Sequence, residues 1–264
     1  MILHEINVPY KYGETFILKP VFDVHLGNAY TDVTAFKRYL SDTDDHTFII
    51  GGGDWLDCVI TSDSKRYMKH VDSSASDAII DDQINAMYEI MEPYKDRIIG
   101  IGTGNHEANI NKRCSTHPAR RLAKMLDTVS LGFSWMVRFR FRQENGGGRT
   151  LTIKGHHGWG GGSRTQGADL TKYSKDIAYW DSDLFLYGHT HKLQSDKIDR
   201  LSWVGKKLVS KPKYIYICGT WLKTLSNTDE ATYSEQAGYP PLSIGNPNIK
   251  ITPNRTWMDI EADV

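Results

Sequence analysis

The sequence predicts an α/β fold, in which short apolar strands alternate with amphipathic helices. Five apolar runs of four to eight residues each end in glycine or a short turn, as buried strands do. Between these runs lie stretches with apolar residues at helical spacing, most clearly over 75–92. With 264 residues and no convincing linker, the chain is expected to form one domain over 1–264. Residues 219–264 are expected to be a C-terminal extension of that domain, rich in Gly, Pro and Asn.

The predicted elements follow one another along the whole chain. Strands are predicted at 15–22, 47–50, 97–101, 136–142, 151–154, 184–187, 214–217 and 256–260. Helices are predicted at 33–40, 75–92, 118–126 and 169–180. Thr31 or Asp32 suits the N-cap of the first helix, and Pro118 suits the first turn of the third. Strict alternation of apolar and basic residues over 136–142 indicates a half-buried strand.

Composition and charge argue against several classes of protein. The chain has 32 Lys+Arg and 32 Asp+Glu, and a net charge of zero gives no support for a dedicated nucleic-acid or membrane binder. A local basic strip remains compatible with that balance. The three cysteines are scattered without Cys-x-x-Cys spacing, which argues against a disulfide framework and a thiolate zinc site. Residues 1–9 do not resemble a signal peptide, and no apolar run approaches the roughly 18 residues of a membrane span. A soluble cytoplasmic protein is expected.

Polar residues that suit metal binding directly follow five of the predicted strands. They are Asp23 and His25, Asp54, Asn105 and His106, His156 and His157, and His189 and His191. Six of the ten histidines therefore fall at these strand ends. A single Asp-x-His is more often structural than functional. Recurrence at the same end of five strands is instead typical of a site in an α/β protein.

The types of donor at these strand ends indicate the ion. Carboxylate, imidazole and one amide, without a thiolate, suit Mn²⁺, Fe, Zn²⁺ or Co²⁺, with Ni²⁺ as a further alternative. There are more donors than one ion can use. Two divalent ions about 3.5–4 Å apart, bridged by one carboxylate, would use them all. Such a pair activates a bridging water as hydroxide and binds the oxygens of a phosphoryl group, and we expect Mn²⁺ first.

The order of these motifs resembles the calcineurin-like metallophosphoesterases. Asp-x-His, Gly-Asp, Gly-Asn-His-Glu, His-Gly and Gly-His-x-His follow one another between Asp23 and His191, over about two thirds of the chain. The resemblance implies a fold, a metallophosphoesterase-type sandwich of two mixed β-sheets flanked by α-helices. It also implies that the site lies on loops at one edge of the sheets.

The resemblance further implies a role for each strand-end residue. Seven residues would bind two ions: Asp23, His25 and His191 the first, Asn105, His157 and His189 the second, and Asp54 both. His106 would be catalytic without binding metal, by protonating the leaving group or stabilising charge on the phosphoryl oxygens. Glu107 would at most contact the metal-binding residues, without binding metal itself. His156 is the alternative to His157 as ligand, but the family's fourth motif places glycine after its histidine, which favours His157.

The expected reaction is metal-dependent hydrolysis of a phosphoester. We expect a phosphodiesterase, with a nuclease acting on DNA or RNA as its narrower form, because a basic stretch lies close to the predicted site in the sequence. One alternative is a phosphomonoesterase acting on a small metabolite or a phosphoprotein. The other is a non-catalytic scaffold of the same fold, which would show gaps in its ligand set. This sequence shows none.

Candidate contacts to the substrate lie outside the metal ligands. His156 and Arg164 flank the glycine-rich residues 158–162, and Arg113 belongs to the basic stretch 112–124. The alternative for that stretch is a solvated helix face. Three aromatic residues of the C-terminal extension could stack a base, although such residues are more often packed inside: Trp221, Tyr233 and Tyr239. The expected partner is a phosphoester substrate, with nucleic acid as one form, and no membrane. The sequence does not indicate an oligomeric state.

Overall fold

The computed structural model describes residues 1–63, 78–226, 229, 231–254 and 257–263, except for the side chain of Tyr233. Its strands are β1 (Ile2–Pro9), β2 (Phe16–Phe22), β3 (Thr47–Gly53), β4 (Ile98–Gly102), β5 (Val129–Gly132), β6 (Ser134–Arg142), β7 (Gly148–His156), β8 (Leu184–Tyr187), β9 (Leu193–Ile198), β10 (Leu201–Val204), β11 (Lys207–Ser210), β12 (Lys213–Cys218), β13 (Asn248–Pro253) and β14 (Met258–Asp263). Its α-helices are α1 (Val33–Leu40), α2 (Ile79–Met91), α3 (Asn105–Cys114), α4 (Pro118–Met125), α5 (Ala168–Ser174) and α6 (Tyr233–Gln236). Short 3₁₀-helices over Glu92–Arg97 and Lys175–Ala178 extend α2 and α5. Within this part of the chain, no helix is long and apolar enough to cross a membrane.

The strands form two six-stranded sheets and one separate hairpin. The first sheet has the order β1-β6-β7-β8-β12-β9, and the second has the order β14-β13-β2-β3-β4-β5. In the second sheet β2 to β5 run parallel, whereas β13 is antiparallel to β2. In the first sheet β7, β8 and β12 run parallel, whereas β6 and β9 are antiparallel to β7 and β12. Both sheets are therefore mixed, and β10 and β11 form the hairpin.

The main core lies between the two sheets. Val137, Phe139 and Phe141 of β6 are buried in one cluster with Leu18 of β2 and Ile251 of β13. Because side chains alternate between the two faces of a strand, every second residue of β6 points inward. The alternation predicted over 136–142 is confirmed.

Helices cover the outer faces of both sheets. Phe36 of α1, Met87 of α2 and Leu122 of α4 pack in one cluster with Ile49 of the second sheet. On the first sheet, Tyr173 of α5 packs against β8 and β12. The layers are thus helix, sheet, sheet and helix. The predicted fold class, two mixed sheets flanked by helices, is confirmed.

Several predicted elements have nearly the predicted limits. Helix α1 covers Val33–Leu40 as predicted, and its N-cap is Asp32, whose Oδ1 accepts the N–H of Ala35 at 2.9 Å. Helix α2 begins at Ile79, and the predicted start over 75–77 lies outside the described residues. The helix predicted at 169–180 is divided into α5 and a 3₁₀-helix.

Six strands and two helices of the described residues were not predicted from the sequence: β1, β5, β9, β10, β11, β13, α3 and α6. Strands β1 and β9 are edge strands with many exposed side chains, so they lack the apolar pattern of a buried strand. Helix α3 begins at Asn105, inside the motif that we predicted as a strand-end loop. The carboxylate of Glu107 accepts the N–H of Gly104 at 2.8 Å, and this bond caps the helix.

Residues of the C-terminal extension join the second sheet. Strand β13 pairs with β2, and β14 pairs with β13. Closer to the strand-end motifs, the hydroxyl of Thr220 donates to the carbonyl oxygen of Asp23 at 2.8 Å. The extension therefore contacts the residue that follows β2.

Candidate metal centre

The five sequence motifs converge at one edge of the two sheets. Strands β2, β3 and β4 are parallel neighbours, so the residues that follow them emerge at the same edge of the second sheet. Strands β7 and β8 are parallel neighbours in the first sheet. The two sets meet where the backbone N–H of His189 donates to Oδ2 of Asp23 at 2.8 Å. Both sheets therefore contribute to one cluster.

Asp23, His25 and His191 form the first group of donors. The Nε2 atoms of His25 and His191 lie 3.1 Å apart. Oδ1 of Asp23 lies 3.8 Å from Nε2 of His25 and 3.4 Å from Nε2 of His191. Among the described residues, this buried oxygen has no hydrogen-bond partner. A divalent cation would satisfy a buried carboxylate oxygen that faces two imidazole nitrogens.

Asn105, His157 and His189 form a second group. Oδ1 of Asn105 lies 2.8 Å from Nε2 of His157 and 2.7 Å from Nδ1 of His189. His157 is fully buried, and its Nδ1 lies 3.2 Å from the carbonyl oxygen of Gly52. A backbone carbonyl on the second ring nitrogen commonly orients a histidine that binds a metal. The three donor atoms face one another.

Asp54 lies between the two groups. Its Oδ2 is 3.2 Å from Nε2 of His157 and 3.9 Å from Nε2 of His25. Its Oδ1 accepts the backbone N–H of His106 at 2.9 Å. One carboxylate oxygen thus faces a donor of each group.

The backbone at these donors is strained. Eight described non-glycine residues have a positive φ, and five of them are predicted metal ligands: Asp23 (52°), His25 (53°), Asp54 (52°), His189 (70°) and His191 (60°). Such a conformation costs a non-glycine residue on the order of 1 kcal/mol or more. It persists only where the surrounding structure fixes the backbone, and it is concentrated at functional sites. The concentration of strained residues at these strand ends supports the prediction that the strand ends form a functional site.

The carboxylate of Glu107 connects the loops that follow β3 and β4 through hydrogen bonds to their backbone N–H groups. This carboxylate is 1% exposed and accepts backbone N–H groups from Gly104 at 2.8 Å, Asp54 at 3.1 Å, Trp55 at 2.7 Å and Leu56 at 3.2 Å. Gly104 permits this close packing, because a Cβ at that position would lie 2.0 Å from Oδ1 of Asp54. Burial and the charge of Asp54 raise the pKa of Glu107 to about 7, against the N–H donors that favour its ionised form.

Asp57 is a residue of the cluster that was not predicted from the sequence. It is buried, and its Oδ1 lies 3.6 Å from Nδ1 of His25 and 3.9 Å from Nδ1 of His106. Its backbone carbonyl also forms a hydrogen bond with Nδ1 of His106. Asp57 therefore contacts both rings. The spacing Gly-Asp-x-x-Asp, with a second carboxylate three residues after Asp54, is the signal that could have identified it.

The buried carboxylates of the cluster have lowered pKa values. Burial raises the pKa of Asp23, but the neighbouring imidazole of His191, whose Nε2 lies 3.4 Å from Oδ1, outweighs burial and leaves that pKa below its usual value. Burial also raises the pKa of Asp54, but the charges of His157 and His106 outweigh burial and bring that pKa well below its usual value. Both groups are therefore ionised at neutral pH, which is the form that binds a cation.

The adjacent residues His156 and His157 have opposite environments. Burial lowers the pKa of His157, but the carboxylate of Asp54 outweighs burial and raises that pKa to about 9. Burial, with Lys154 nearby, lowers the pKa of His156 to about 4. The Nδ1 atom of His156 accepts the N–H of Gly158 at 2.8 Å, a local bond outside the two donor groups. The structure thus brings His157 to the other donors.

The residues present fit divalent ions. Burial, together with the charge of His106, lowers the pKa of His25, and burial with the charge of His157 lowers that of His189. Both shifts favour the neutral imidazole that binds a metal. Among the described residues, three overlapping groups of Asp and His place their donor atoms within 4.8 Å of one another. The cluster contains all seven residues predicted to bind metal.

The two arginines predicted to bind substrate contact other parts of the chain. Arg113 lies in the last turn of α3, about 12 Å along the helix axis from Asn105. Its Nη2 is 3.8 Å from Oδ2 of Asp63. Nη2 of Arg164 donates to the carbonyl oxygen of Ala237 at 3.0 Å. This bond connects the loop after β7 to the C-terminal extension.

One of the three aromatic residues considered for stacking is buried. Trp221 is 2% exposed, and its ring lies against Phe36 at 5.2 Å and Tyr39 at 5.1 Å between centroids. A stacking role for Trp221 is therefore wrong, because helix α1 covers its ring. Tyr239 is 42% exposed. The side chain of Tyr233 lies outside the described residues.

Comparison with known proteins finds similarity in fold. No protein-family model and no curated protein matches the chain. Among the solved structures that match is a Zn²⁺ complex of Vps29 from Entamoeba histolytica, with 14% identity over 94% of this chain and 98% of that chain and a TM-score of 0.36. Another is a metallophosphoesterase from Sphaerobacter thermophilus, with 12% identity over 95% of this chain and 89% of that chain and a TM-score of 0.40. The NAD nucleotidase of Haemophilus influenzae also matches, with 10% identity over 95% of this chain and 50% of that chain and a TM-score of 0.44. These matches concern the fold alone. Because all three TM-scores are below 0.5, the case for function rests on the residues of this chain.

Proposed function

We propose that the chain is a metal-dependent phosphoester hydrolase with a dinuclear centre, and that its substrates are phosphodiesters. The position of Asp54 supports this most directly. Its Oδ2 lies 3.2 Å from Nε2 of His157 and 3.9 Å from Nε2 of His25, so that one carboxylate faces both donor groups. A carboxylate shared by two donor groups is what a two-ion site requires and a one-ion site does not.

In this proposal each donor group binds one divalent ion. Asp23, His25, His191 and Asp54 would hold the first ion, and Asn105, His157, His189 and Asp54 would hold the second. When bound, the ions would lower the pKa of a water molecule and neutralise charge on the phosphoryl oxygens. We expect Mn²⁺ first, since carboxylate, amide and imidazole donors suit it.

The chain's own residues supply positioning and a proton. Hydrolysis forms a bond between phosphorus and the oxygen of water, and it breaks the bond between phosphorus and the leaving oxygen. We assign His106 as the group that gives a proton to the leaving oxygen, while the proton of the water passes to solvent. The carbonyl of Asp57 holds Nδ1 of His106, so we assign the transfer to Nε2. Asp54 accepts the backbone N–H of His106 at the start of α3, and this bond holds the backbone that carries the ring.

Partial exposure of two side chains of the site supports a diester substrate. The side chain of His191 is 25% exposed and that of His106 is 16% exposed. A phosphorus atom beside these two side chains would therefore face solvent on one side, where two ester arms could extend out of the site. In the narrower form of the proposal, a nuclease, a DNA or RNA strand would lie along this opening.

The test is hydrolysis by the purified chain after removal of metal with a chelator and reloading with Mn²⁺. The substrates are bis-p-nitrophenyl phosphate, p-nitrophenyl phosphate and a short single-stranded DNA. We expect activity to return with the metal, and the kcat/KM for the diester to exceed that for the monoester. Cleavage of the DNA would support the nuclease form.

Two outcomes would contradict the proposal. Hydrolysis of the monoester alone would assign the chain as a phosphomonoesterase. No hydrolysis of any of the three substrates, with both ions measured as bound, would favour a non-catalytic scaffold.

A further inference from the structure

We propose that Trp159 binds the nucleobase of a nucleotide diester by stacking, beside the metal centre. This inference rests on the phosphodiesterase function proposed above, and it names the class of substrate. It concerns residues 158–162, which directly follow His157 and which we call the tryptophan loop.

Both ends of the tryptophan loop contact the segment that carries two of the donor histidines. At the start of the loop, a Cβ on Gly158 would lie 2.6 Å from Cβ of His189 and 2.7 Å from the carbonyl oxygen of Gly188, so Gly158 lies directly against this segment. At its end, a Cβ on Gly162 would lie 3.7 Å from the carbonyl oxygen of Thr190. These contacts set the position of the loop relative to the second donor group.

A buried ion pair also fixes the end of the loop. Asp169 of α5 is 1% exposed, accepts the N–H of Ser163 at 3.2 Å and pairs with Lys192 at 2.9 Å. Lys192 immediately follows a donor histidine, and its Nζ also donates to the carbonyl of Ser163. Lys172, on the same helix, donates to the carbonyl oxygen of Trp159 at 2.9 Å. The loop is thus held by α5 and by the donor segment together.

The ring of Trp159 has a defined orientation. It makes edge-to-face contacts with Tyr173 at 4.8 Å, Tyr187 at 5.7 Å and His156 at 5.0 Å between centroids. Tyr173 and Tyr187 are fully buried and stack on each other at 4.5 Å. Trp159 nevertheless remains 39% exposed. A ring that its neighbours already hold loses little freedom when a ligand stacks on it.

Trp159 also lies within reach of a substrate arm. It is two residues from His157, so the two Cα atoms are at most about 7 Å apart. The base of a nucleotide whose phosphate lies at the donors extends over a comparable distance. The glycines of the loop leave space beside the ring, since a Cβ on Gly161 would meet no atom within 4 Å. Because stacking accepts every base, we expect a preference for nucleotides without a preference for base sequence.

The first test compares two diesters with the same leaving group. Thymidine 5′-(p-nitrophenyl phosphate) carries a base, and methyl p-nitrophenyl phosphate does not. Trp159→Leu keeps an apolar side chain and removes the stack, whereas Trp159→Phe keeps an aromatic ring. We expect Trp159→Leu to lower the ratio of the two kcat/KM values about tenfold, as the loss of one stacked base does. Trp159→Phe should stay close to wild type.

Trp203 provides a matched control. It lies on β10 and is 84% exposed, more than Trp159, and it belongs to the separate hairpin. We expect Trp203→Ala to leave both kcat/KM values unchanged. A ratio that falls equally in Trp203→Ala and Trp159→Leu would overturn the inference.

The second test measures binding without turnover. A fluorescein-labelled oligothymidylate is titrated in the presence of a chelator and followed by fluorescence anisotropy. We expect Trp159→Leu to raise the Kd about tenfold, and Trp159→Phe and Trp203→Ala to leave it unchanged. If the wild type hydrolyses neither diester but Trp159→Leu still weakens binding, the proposed function fails and the stacking role stands. An unchanged ratio together with an unchanged Kd in Trp159→Leu overturns the stacking role, whatever the activity.

Discussion

The candidate metal centre has a buried floor and a partly exposed rim. The floor residues are at most 2% exposed: Asp23, His25, Asp54 and His157. The rim residues are partly exposed: Asn105, His106, His189 and His191. The floor contains the two carboxylates among the predicted metal ligands, and buried carboxylates require compensating positive charge. The rim contains imidazoles and an amide, which can exchange contacts with solvent and substrate at lower cost.

This difference teaches that burial separates two roles within one cluster. In the floor, each charged group depends on its neighbours, as the lowered pKa of Asp54 beside His157 shows. Removal of one floor residue should therefore weaken metal binding at the whole cluster. Removal of the rim residue His106 should leave the metal in place and affect the chemistry.

Asp54→Asn should have the largest effect. An amide cannot supply the negative charge that both donor groups share, so we expect loss of metal and a fall in kcat/KM on the order of 10⁴-fold or more. Metal content is measured by mass spectrometry after reloading, and activity is measured on the diester. Asp196→Asn, an exposed carboxylate on β9, is the control and should keep both. Full metal content in Asp54→Asn would contradict a bridging role.

His106→Ala should have the second largest effect. We expect both ions to remain and kcat to fall on the order of 10²–10⁴-fold, because only the proton donor is lost. The loss should be smaller with a p-nitrophenolate leaving group than with an alkoxide, which needs a proton more. If His106→Ala lost its metal instead, the separation of floor and rim would be wrong.

The pair His157→Ala and His156→Ala sharpens the comparison within one dipeptide. We expect His157→Ala to weaken metal binding at least about 10²-fold, since loss of a mere supporting residue already costs about 10–100-fold. His156→Ala should keep the metal, because its Nδ1 bonds to Gly158 outside the donor groups. Isothermal titration with Mn²⁺ measures both affinities. The opposite result would make His156 the ligand.

Arg113→Ala and Arg164→Ala should have the smallest effects. Both side chains lie outside the cluster, so metal binding and hydrolysis of small diesters should remain within about twofold of wild type. If either arginine contacts a phosphate of DNA, its loss should reduce the slope of log Kd against log salt concentration by about 1. Binding of single-stranded DNA at several salt concentrations measures that slope. An unchanged slope would mean that the arginine does not contact a phosphate of the DNA.

The elements and donors that were predictable from the sequence all have local signals. Strand β8 has its predicted limits because an apolar run and a following glycine mark both of its ends. The seven predicted metal ligands follow apolar strands, and the parallel order of those strands brings them to one edge.

Features that depend on distant contacts were not predictable. The burial of Trp221 comes from α1, almost 190 residues earlier in the chain. The role of Glu107 depends on backbone N–H groups more than 50 residues away, such as that of Trp55. Edge strand β9 has a polar sequence because it is exposed, and its partner β12 determines that it is a strand.

The sequence by itself determined which chemical groups stand at the strand ends, because strands, glycine turns and adjacent donors are local features. Only the tertiary structure decided which of His156 and His157 faces Asp54. Adjacent residues on an extended backbone point to opposite sides, so only one of the two can enter the cluster. The choice follows from the pairing of β7 with β6, in which His156 lies opposite Ser134 and the N–H of His157 donates to the carbonyl of Phe133 at 3.1 Å. That register involves residues of β6 that lie more than 20 positions earlier in the chain, and the dipeptide does not encode it.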